Sequence, residues 1–173
     1  MKISLNEVGG LVLKAARGAG YAIGHAEDLS RLAMFLAGTG QSLKLVDAAL
    51  AAGSNAPTVT WDDALVVIGA GSNLIAGVIA RDALLSGVAK AVMSDEAQVE
   101  MAKVLLASEG YVPNADGLTL RMGGASEAPK PSGPVDLDDR YFAAWGALAA
   151  KTYVPETEAS RLAGAGAGLT DND

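Results

Sequence analysis

The chain of 173 residues contains no cysteine. It therefore forms no disulfide, uses no thiol as a nucleophile and holds no zinc or iron–sulfur centre through cysteine. Histidine is almost as scarce, because His25 is the only one. A histidine metal site would need carboxylate partners from distant parts of the chain, and no spacing indicates them. We therefore expect neither a metal nor another cofactor.

Positive charge is also in short supply. The chain carries 13 Lys and Arg against 20 Asp and Glu, which gives a formal net charge of −7. Nucleic acids and anionic membrane surfaces are bound through clustered Lys and Arg, so we expect neither as a partner. No uncharged apolar stretch reaches about 18 residues, and the opening segment lacks the apolar centre of a secretory signal. These features favour a protein of the bacterial cytoplasm.

Aromatic residues make up only 5% of a chain that is 50% hydrophobic. Alanine and glycine must therefore fill much of the interior, which lets helices approach closely but buries less area in each contact. A chain of this length predicts a single domain, 1–173. We expect a helical layer over 1–53, a strand and helix region over 60–122 and a linker over 123–135. A C-terminal helix with an ordered glycine-rich tail is expected over 136–173.

The longest apolar run, Ala64–Gly87, contains only two charged residues, Arg81 and Asp82. A run this apolar must be buried on most sides, so other elements are expected to pack around it. The β-branched residues Val66–Ile68 predict a short strand within it. The alternative, a helix over Asp62–Ile68, stays open because periodicity cannot separate the two over so few residues.

A glycine turn follows the predicted strand and leads into a helix. Gly69 and Gly71 form the turn, and Ser72 or Asn73 caps the helix. A dinucleotide-binding motif has the same order, but Leu74 stands where that motif needs a third small residue. We interpret the segment as a tight turn between two buried elements. The alternative is a phosphate or carboxylate bound at the start of the helix.

Capping residues, apolar spacing and turn residues define the remaining elements. Ser4 and Glu7 form a capping box, and Ser94 and either Asp136 or Asp138 cap later helices. Helices are predicted over 4–18, 25–37, 42–53, 94–110 and 136–154, and strands over 88–93, 111–112 and 118–122, the last two joined by an Asp-Gly hairpin turn. This order predicts an α/β fold, with α+β as the alternative, in which the N-terminal helical layer packs on a small mixed sheet.

Both ends of the chain resemble one family. Lys2–Glu7 and Lys14–Gly20 are similar to the start, and Thr152–Asp173 to the C-terminal signature, of the proteins grouped as domain of unknown function 3726. That family is found chiefly in alphaproteobacteria. The resemblance implies a soluble, single-domain protein of the cytoplasm. It implies no established activity and supplies no catalytic residues.

Two arginines, Arg17 and Arg161, lie beside glycine-rich backbone in these family-like segments. Arg161 could bind a small carboxylate or phosphate through two parallel hydrogen bonds, or it could bond backbone carbonyls and hold the tail to the body. Tyr153 and Ser160 supply further polar groups to such a site. His25 could act as a general base oriented by a neighbouring carboxylate, although the simpler interpretation is a polar residue in the first turn of a helix.

The sequence leaves three functions open, in the following order. The first is a non-catalytic protein that forms a homodimer or acts on a protein partner. The second is a module that binds a small anionic metabolite at the glycine turn or at Arg161. The third is an enzyme of unknown class that uses His25 or the tail carboxylates. It comes last because the sequence shows no recognisable pair of a nucleophile and a base.

Overall fold

A computed structural model describes residues 1–153, which form six α-helices and seven β-strands. The predicted glycine-rich tail lies outside the described residues. The helices are α1 (Leu5–Gly18), α2 (Ile23–Gly38), α3 (Lys44–Ala52), α4 (Asn73–Leu85), α5 (Glu96–Ser108) and α6 (Asp139–Ala150). The strands are β1 (Lys2–Ile3), β2 (Val59–Trp61), β3 (Leu65–Ile68), β4 (Lys90–Val92), β5 (Tyr111–Asp116), β6 (Thr119–Ala125) and β7 (Val135–Asp136).

Five of the strands form a mixed sheet in the order β2-β3-β4-β6-β5. Strands β3 and β4 run parallel because helix α4 carries the chain back between them, whereas the other neighbours are antiparallel. Strands β1 and β7 form a separate antiparallel pair. The predicted α/β class and mixed sheet are confirmed.

The helices form two layers behind this sheet. Helices α4 and α5 pack against each other and contact the strands, while α1, α2, α3 and α6 pack together and meet α4 and α5 mainly through α2. The N-terminal helical layer therefore rests on α4 and α5, which in turn rest on the sheet. One apolar core lies between the two helical layers, and a second lies between α4, α5 and the sheet. None of the described helices combines the length and the apolar character that crossing a membrane requires.

The open question about the start of the apolar run is settled in favour of the strand. Leu65–Ile68 is β3, and its side chains alternate in burial, with Val66 and Ile68 buried and Val67 exposed. Such a two-residue alternation is expected of a strand with one face on a core. The helical alternative over Asp62–Ile68 is wrong.

Three strands, β1, β2 and β7, were not predicted, and β5 and β6 are longer than predicted. Strand β2 lies in a segment that proline and polar residues mark as a loop, and β1 and β7 are two residues long, too short for any periodic signal. Strand β6 continues to Ala125, so the first part of the predicted linker 123–135 belongs to the sheet. The predicted hairpin turn is confirmed at Gly117, whose φ of 54° lies in the left-handed region.

The helix caps agree with the sequence in part. The capping box at Ser4 is present, and the backbone amide of Ser4, together with its hydroxyl, lowers the pKa of Glu7 by donating to the carboxylate. Asp138 caps α6 as one of the two predicted choices. The predicted cap Ser94 is wrong, because Asp95 occupies that position and accepts from the backbone amide of Gln98.

Close approach of α1 and α6 depends on Gly18. A Cβ atom added to Gly18 would overlap the backbone carbonyl of Leu148, which cannot move without shifting α6. Gly10 lies in the same helix but faces solvent, and a Cβ there would meet nothing within 4 Å. Substitution of Gly18 therefore tests both packing and helix propensity, whereas substitution of Gly10 tests helix propensity alone.

We expect Gly18→Ala to destabilise the protein by about 1–3 kcal/mol, because the added methyl group forces two helices apart. The matched change Gly10→Ala should stabilise it by about 0.5–1 kcal/mol through helix propensity alone. Urea unfolding followed by circular dichroism measures both. Equal effects of the two changes would contradict the observed contact between α1 and α6.

Candidate functional site

A cavity of about 690 Å³ lies among the described residues. It lies where α2 faces the ends of α4 and α5, and residues 128–131 close one side of it. Apolar side chains supply much of the wall, including Leu32, Met34, Phe35 and Leu105. The volume falls within the range of about 300–1,000 Å³ that small-molecule sites occupy.

A cluster of charged side chains stands at the wall of this cavity. Asp28 on α2 accepts two hydrogen bonds at Oδ1, from Arg81 Nη1 at 3.1 Å and from Arg31 Nη2 at 2.7 Å. Arg81 Nη1 also lies 3.3 Å from Glu109 Oε1, and its Nε donates to Asp82 Oδ1 at 2.8 Å. The cluster joins α2, α4 and the end of α5.

The central pair of the cluster is nearly buried. The side chains of Asp28 and Arg81 are 9% and 11% exposed, whereas that of Arg31 is 65% exposed. Burial by itself would lower the pKa of Arg81, but the hydrogen bonds to Asp82 and Asp28 outweigh burial and raise the pKa above its ordinary value. The guanidinium is therefore permanently charged at the wall of the cavity.

Two atoms of this pair have unused hydrogen-bonding capacity. Within residues 1–153, Asp28 Oδ2 and Arg81 Nη2 make no hydrogen bond. Every side-chain nitrogen or oxygen that the described residues seal from solvent has a partner. Both atoms must therefore remain open to solvent, and both side chains line the cavity. The site offers a ligand one charged acceptor and one charged donor on two hydrogen-bonded side chains.

One side of the cavity is formed by the covering segment, residues 126–132. The backbone amide of Ser126 donates to the Gly110 carbonyl at 2.7 Å, and that of Ser132 donates to the Gly38 carbonyl at 3.0 Å. Pro131 packs so closely on Gly38 that an added Cβ would lie 2.6 Å from the proline ring. These contacts hold Lys130 at the cavity, where it adds a third cation to Arg31 and Arg81.

Comparison with known proteins bears on the first part of this site. Residues 3–42 match the family described as protein of unknown function (DUF3726). The predicted resemblance is thereby confirmed over helices α1 and α2, whereas the predicted C-terminal signature lies beyond the match. No curated protein and no solved structure is significantly similar to the chain.

The matched DUF3726 segment supplies part of the cavity. Asp28 and Arg31 lie within it, while Arg81, Glu109 and Lys130 lie outside it. The cavity is thus built jointly by the family segment and by the region that follows it.

The predicted glycine turn is filled by the protein itself. A Cβ atom at Gly69 would overlap the hydroxyl of Thr58, and one at Gly71 would lie 2.6 Å from the backbone nitrogen of Pro57. The backbone amide of Gly69 donates to the Thr58 carbonyl at 2.8 Å, and that of Ser72 donates to the Asn55 carbonyl at 2.7 Å. The geometry therefore favours the tight-turn interpretation, and an anion at this turn stays a prediction.

The side chain of Ser72 does not cap α4 as predicted. Asn73 begins the helix, and the Ser72 hydroxyl lies 2.9 Å from the Tyr21 hydroxyl instead. Tyr21 is buried and lies 2.8 Å from the Ala49 carbonyl and 2.7 Å from the Gly53 carbonyl. The phenol donates towards these carbonyls and accepts from Ser72. The Ser72 hydroxyl therefore bonds to the buried Tyr21, 51 residues away in sequence, and not to a backbone amide at the start of α4.

The predicted site around Arg17 is only partly within the described residues. Arg17, Lys14 and Lys151 line a groove of about 420 Å³ where α1 and α6 end. Arg17 Nη1 donates to the Tyr21 carbonyl at 2.7 Å, and the Tyr153 ring centroid lies 5.8 Å from Lys14 Nζ. Cations at the ends of two helices also complement the helix dipoles.

The remaining predicted residues are not brought into one site. Arg161 and Ser160 lie outside the described residues, so binding or tail attachment by Arg161 stays a prediction. His25 is half-buried in the first turn of α2 and makes no side-chain hydrogen bond to the described residues. Among the described residues, no carboxylate is hydrogen-bonded to His25, so the geometry adds no support to the general-base hypothesis.

The charged cluster was missed because its members are far apart in sequence. One signal was visible, since Arg81 and Asp82 are the only charges in the longest apolar run. A charge placed in such a run must find a partner when the run is buried. The sequence does not say that Asp28, 53 residues earlier, is that partner.

The buried phenol of Tyr21 gives a pH-dependent prediction. Burial raises the pKa of Tyr21, and the hydrogen bond from Ser72 offsets only part of this effect. In the unfolded chain a tyrosine loses its proton near pH 10. The stabilising contribution of Tyr21 is therefore complete below about pH 10 and is lost as the pH rises towards the higher pKa of the folded state.

We expect the free energy of unfolding of the wild type to fall more steeply above about pH 10 than that of Tyr21→Phe. Urea unfolding at a series of pH values measures the difference in slope. Tyr153→Phe is the control, since the side chain of Tyr153 is exposed and its removal should leave the slope of the wild type. Parallel curves for the wild type and Tyr21→Phe would contradict the buried environment of the phenol.

Proposed function

We propose that the protein is a non-catalytic binding module for a small molecule that carries a carboxylate or similar anionic group on an apolar body. The observation that supports this function is the nearly buried pair of Asp28 and Arg81 at the wall of a cavity of about 690 Å³. Ligand sites are commonly apolar cavities with a few convergent polar groups. We propose this site for the anion, while binding at the glycine turn or at Arg161 stays a separate prediction.

The anionic group of the ligand is assigned to Arg81. Its Nη2 is open to solvent beside the cavity, and a guanidinium binds carboxylates through charge-assisted hydrogen bonds. Arg31 and Lys130 stand near it at the exposed side of the cavity. The apolar body would then lie against Leu32, Phe35 and their neighbours.

Binding suits this site better than proton transfer. A general acid or base works best when its pKa is near the working pH. The pKa of Arg81 is raised further from that range by its hydrogen bonds with Asp82 and Asp28. The cluster therefore supplies fixed charges, which hold and orient a ligand. We further propose that the protein works in the cytoplasm, because its acidic composition and its lack of cysteine fit a reducing compartment.

Self-association remains a second candidate. Trp61, on the edge strand β2, is 55% exposed, and Val67 on the adjacent strand is exposed as well. An edge strand has unpaired backbone groups that a second copy can use. This observation favours the predicted homodimer through β2.

The proposed binding is tested with two carboxylates that have apolar bodies, 3-phenylpropanoate and 4-methylpentanoate, by isothermal titration calorimetry. We expect saturable binding of at least one to the wild type. Arg81→Met should weaken it roughly tenfold to a hundredfold, because a hydrogen bond to a charged group contributes about 1.5–3 kcal/mol. Arg31→Met changes an exposed side chain, so it should weaken binding without risk to the fold.

Arg121→Met is the matched control. Arg121 is an exposed arginine on β6 and does not line the cavity, so its removal should leave the affinity of the wild type. Circular dichroism of each variant separates a lost contact from a lost fold. Absence of binding to the wild type, or equal losses in Arg31→Met and Arg121→Met, would contradict this function.

For self-association, we expect light scattering after gel filtration to give twice the chain mass for the wild type. Trp61→Lys should give the mass of one chain, because a buried charge at the shared edge opposes pairing. Val112→Lys on the opposite edge strand β5 is the matched control and should remain a dimer. A wild type with the mass of one chain at all concentrations tested would overturn the candidate.

A further inference from the structure

We infer that the ligand of the cavity is a zwitterion, and specifically an α-amino acid with an apolar side chain. This inference rests on the proposed function and names the chemical class of its ligand. Arg81 takes the carboxylate of the amino acid, and Asp28 takes the protonated amine.

The acceptor for the amine is Asp28 Oδ2. Its neighbour Oδ1 already accepts from both Arg31 and Arg81, whereas Oδ2 accepts from none of the described residues. The side chain is 9% exposed, so this remaining contact is with the cavity that Asp28 lines. A carboxylate oxygen on a side chain so little exposed is poorly hydrated, so a strong donor is favoured there, and an ammonium group is the strongest that a small ligand carries.

The charge balance around the cavity favours a ligand with no net charge. Arg31, Arg81 and Lys130 line the cavity together with Asp28 and Glu109, and two further anions, Asp82 and Glu127, pair with Arg81 and Lys130, so the charges at the site differ from balance by only one. A ligand with a net charge would add an unbalanced charge to a partly buried site, which is costly. A zwitterion adds one charge of each sign and leaves the balance unchanged.

The hydrogen bond between the two side chains limits how far apart the ligand charges can lie. Arg81 Nη1 and Asp28 Oδ1 are hydrogen-bonded at 3.1 Å, so the free Nη2 and Oδ2 belong to directly adjacent groups. A ligand that uses both is expected to carry its ammonium and carboxylate close together, as an α-amino acid does on its α-carbon. The apolar wall of Leu32, Met34, Phe35 and Leu105 then receives the side chain.

Three ligands that share one aromatic body test the inference by calorimetry on the full-length protein. L-Phenylalanine carries both charged groups, 3-phenylpropanoate lacks the amine, and 2-phenylethylamine lacks the carboxylate. We expect phenylalanine to bind at least about tenfold more tightly than either of the others. Because this comparison uses the wild type, it does not depend on the folding of any variant.

Asp28→Asn assigns the amine to its partner. We expect this variant to lose about tenfold in affinity for phenylalanine but none for 3-phenylpropanoate, whose carboxylate is no longer repelled by the charge of Asp28. Glu109→Gln is the matched control, since Glu109 is 40% exposed and is assigned no contact with the ligand. Its affinity for phenylalanine should change much less than that of Asp28→Asn.

The outcomes separate this inference from the proposed function. Equal affinities of the wild type for phenylalanine and 3-phenylpropanoate would overturn the zwitterion and leave the carboxylate site intact. Equal affinities for phenylalanine and 2-phenylethylamine, or binding of none of the three, would overturn both. Equal losses of both ligands in Asp28→Asn would overturn the assignment of the amine to Asp28.

Discussion

Helix α4 is buried on two sides, and much of the structure follows from this constraint. Leu74, Ile75 and Val78 face the core between the helical layers, while Ala76 and Ala80 face the core against the sheet. A helix in this position must be apolar almost all round. A charge near its end is tolerated only where a partner from another element neutralises it. The pair of Arg81 and Asp28 is that solution, and it places opposite charges beside the cavity.

The same constraint explains the abundance of small residues. Helices α4 and α5 share the space between two cores, so they must lie close together. At Gly77 an added Cβ would lie 2.6 Å from Met101 Cγ and 3.1 Å from the backbone nitrogen of Ala102. The buried Gln98 adds a polar tie, since its Nε2 donates to the Gly69 carbonyl at 3.0 Å. Small side chains thus bring the helices together, and a few buried hydrogen bonds fix their positions.

Local signals in the sequence were sufficient for most elements but not for their partners. The capping box at Ser4 and the β-branched run at Val66–Ile68 act within a few residues, and both predictions are confirmed. Strands β1 and β7 could not be predicted, because two residues carry no period and their pairing joins distant parts of the chain. Ser72 fails as a side-chain cap for the same reason, since Tyr21 competes for its hydroxyl.

The candidate site could not be predicted from the sequence, and the reason is stronger than for the strands. Each of its charges has an ordinary local interpretation, such as an exposed helix residue or a neighbouring ion pair. Only the packing of α2 on α4 makes Asp28 and Arg81 a buried pair, and only the covering segment encloses the space beside them. The cavity is therefore lined by three parts of the fold: the N-terminal helical layer, the central helices α4 and α5, and the covering segment that follows the sheet. A ligand that contacts all three parts would bind only the folded state. Its binding would therefore also stabilise the contact between the two helical layers.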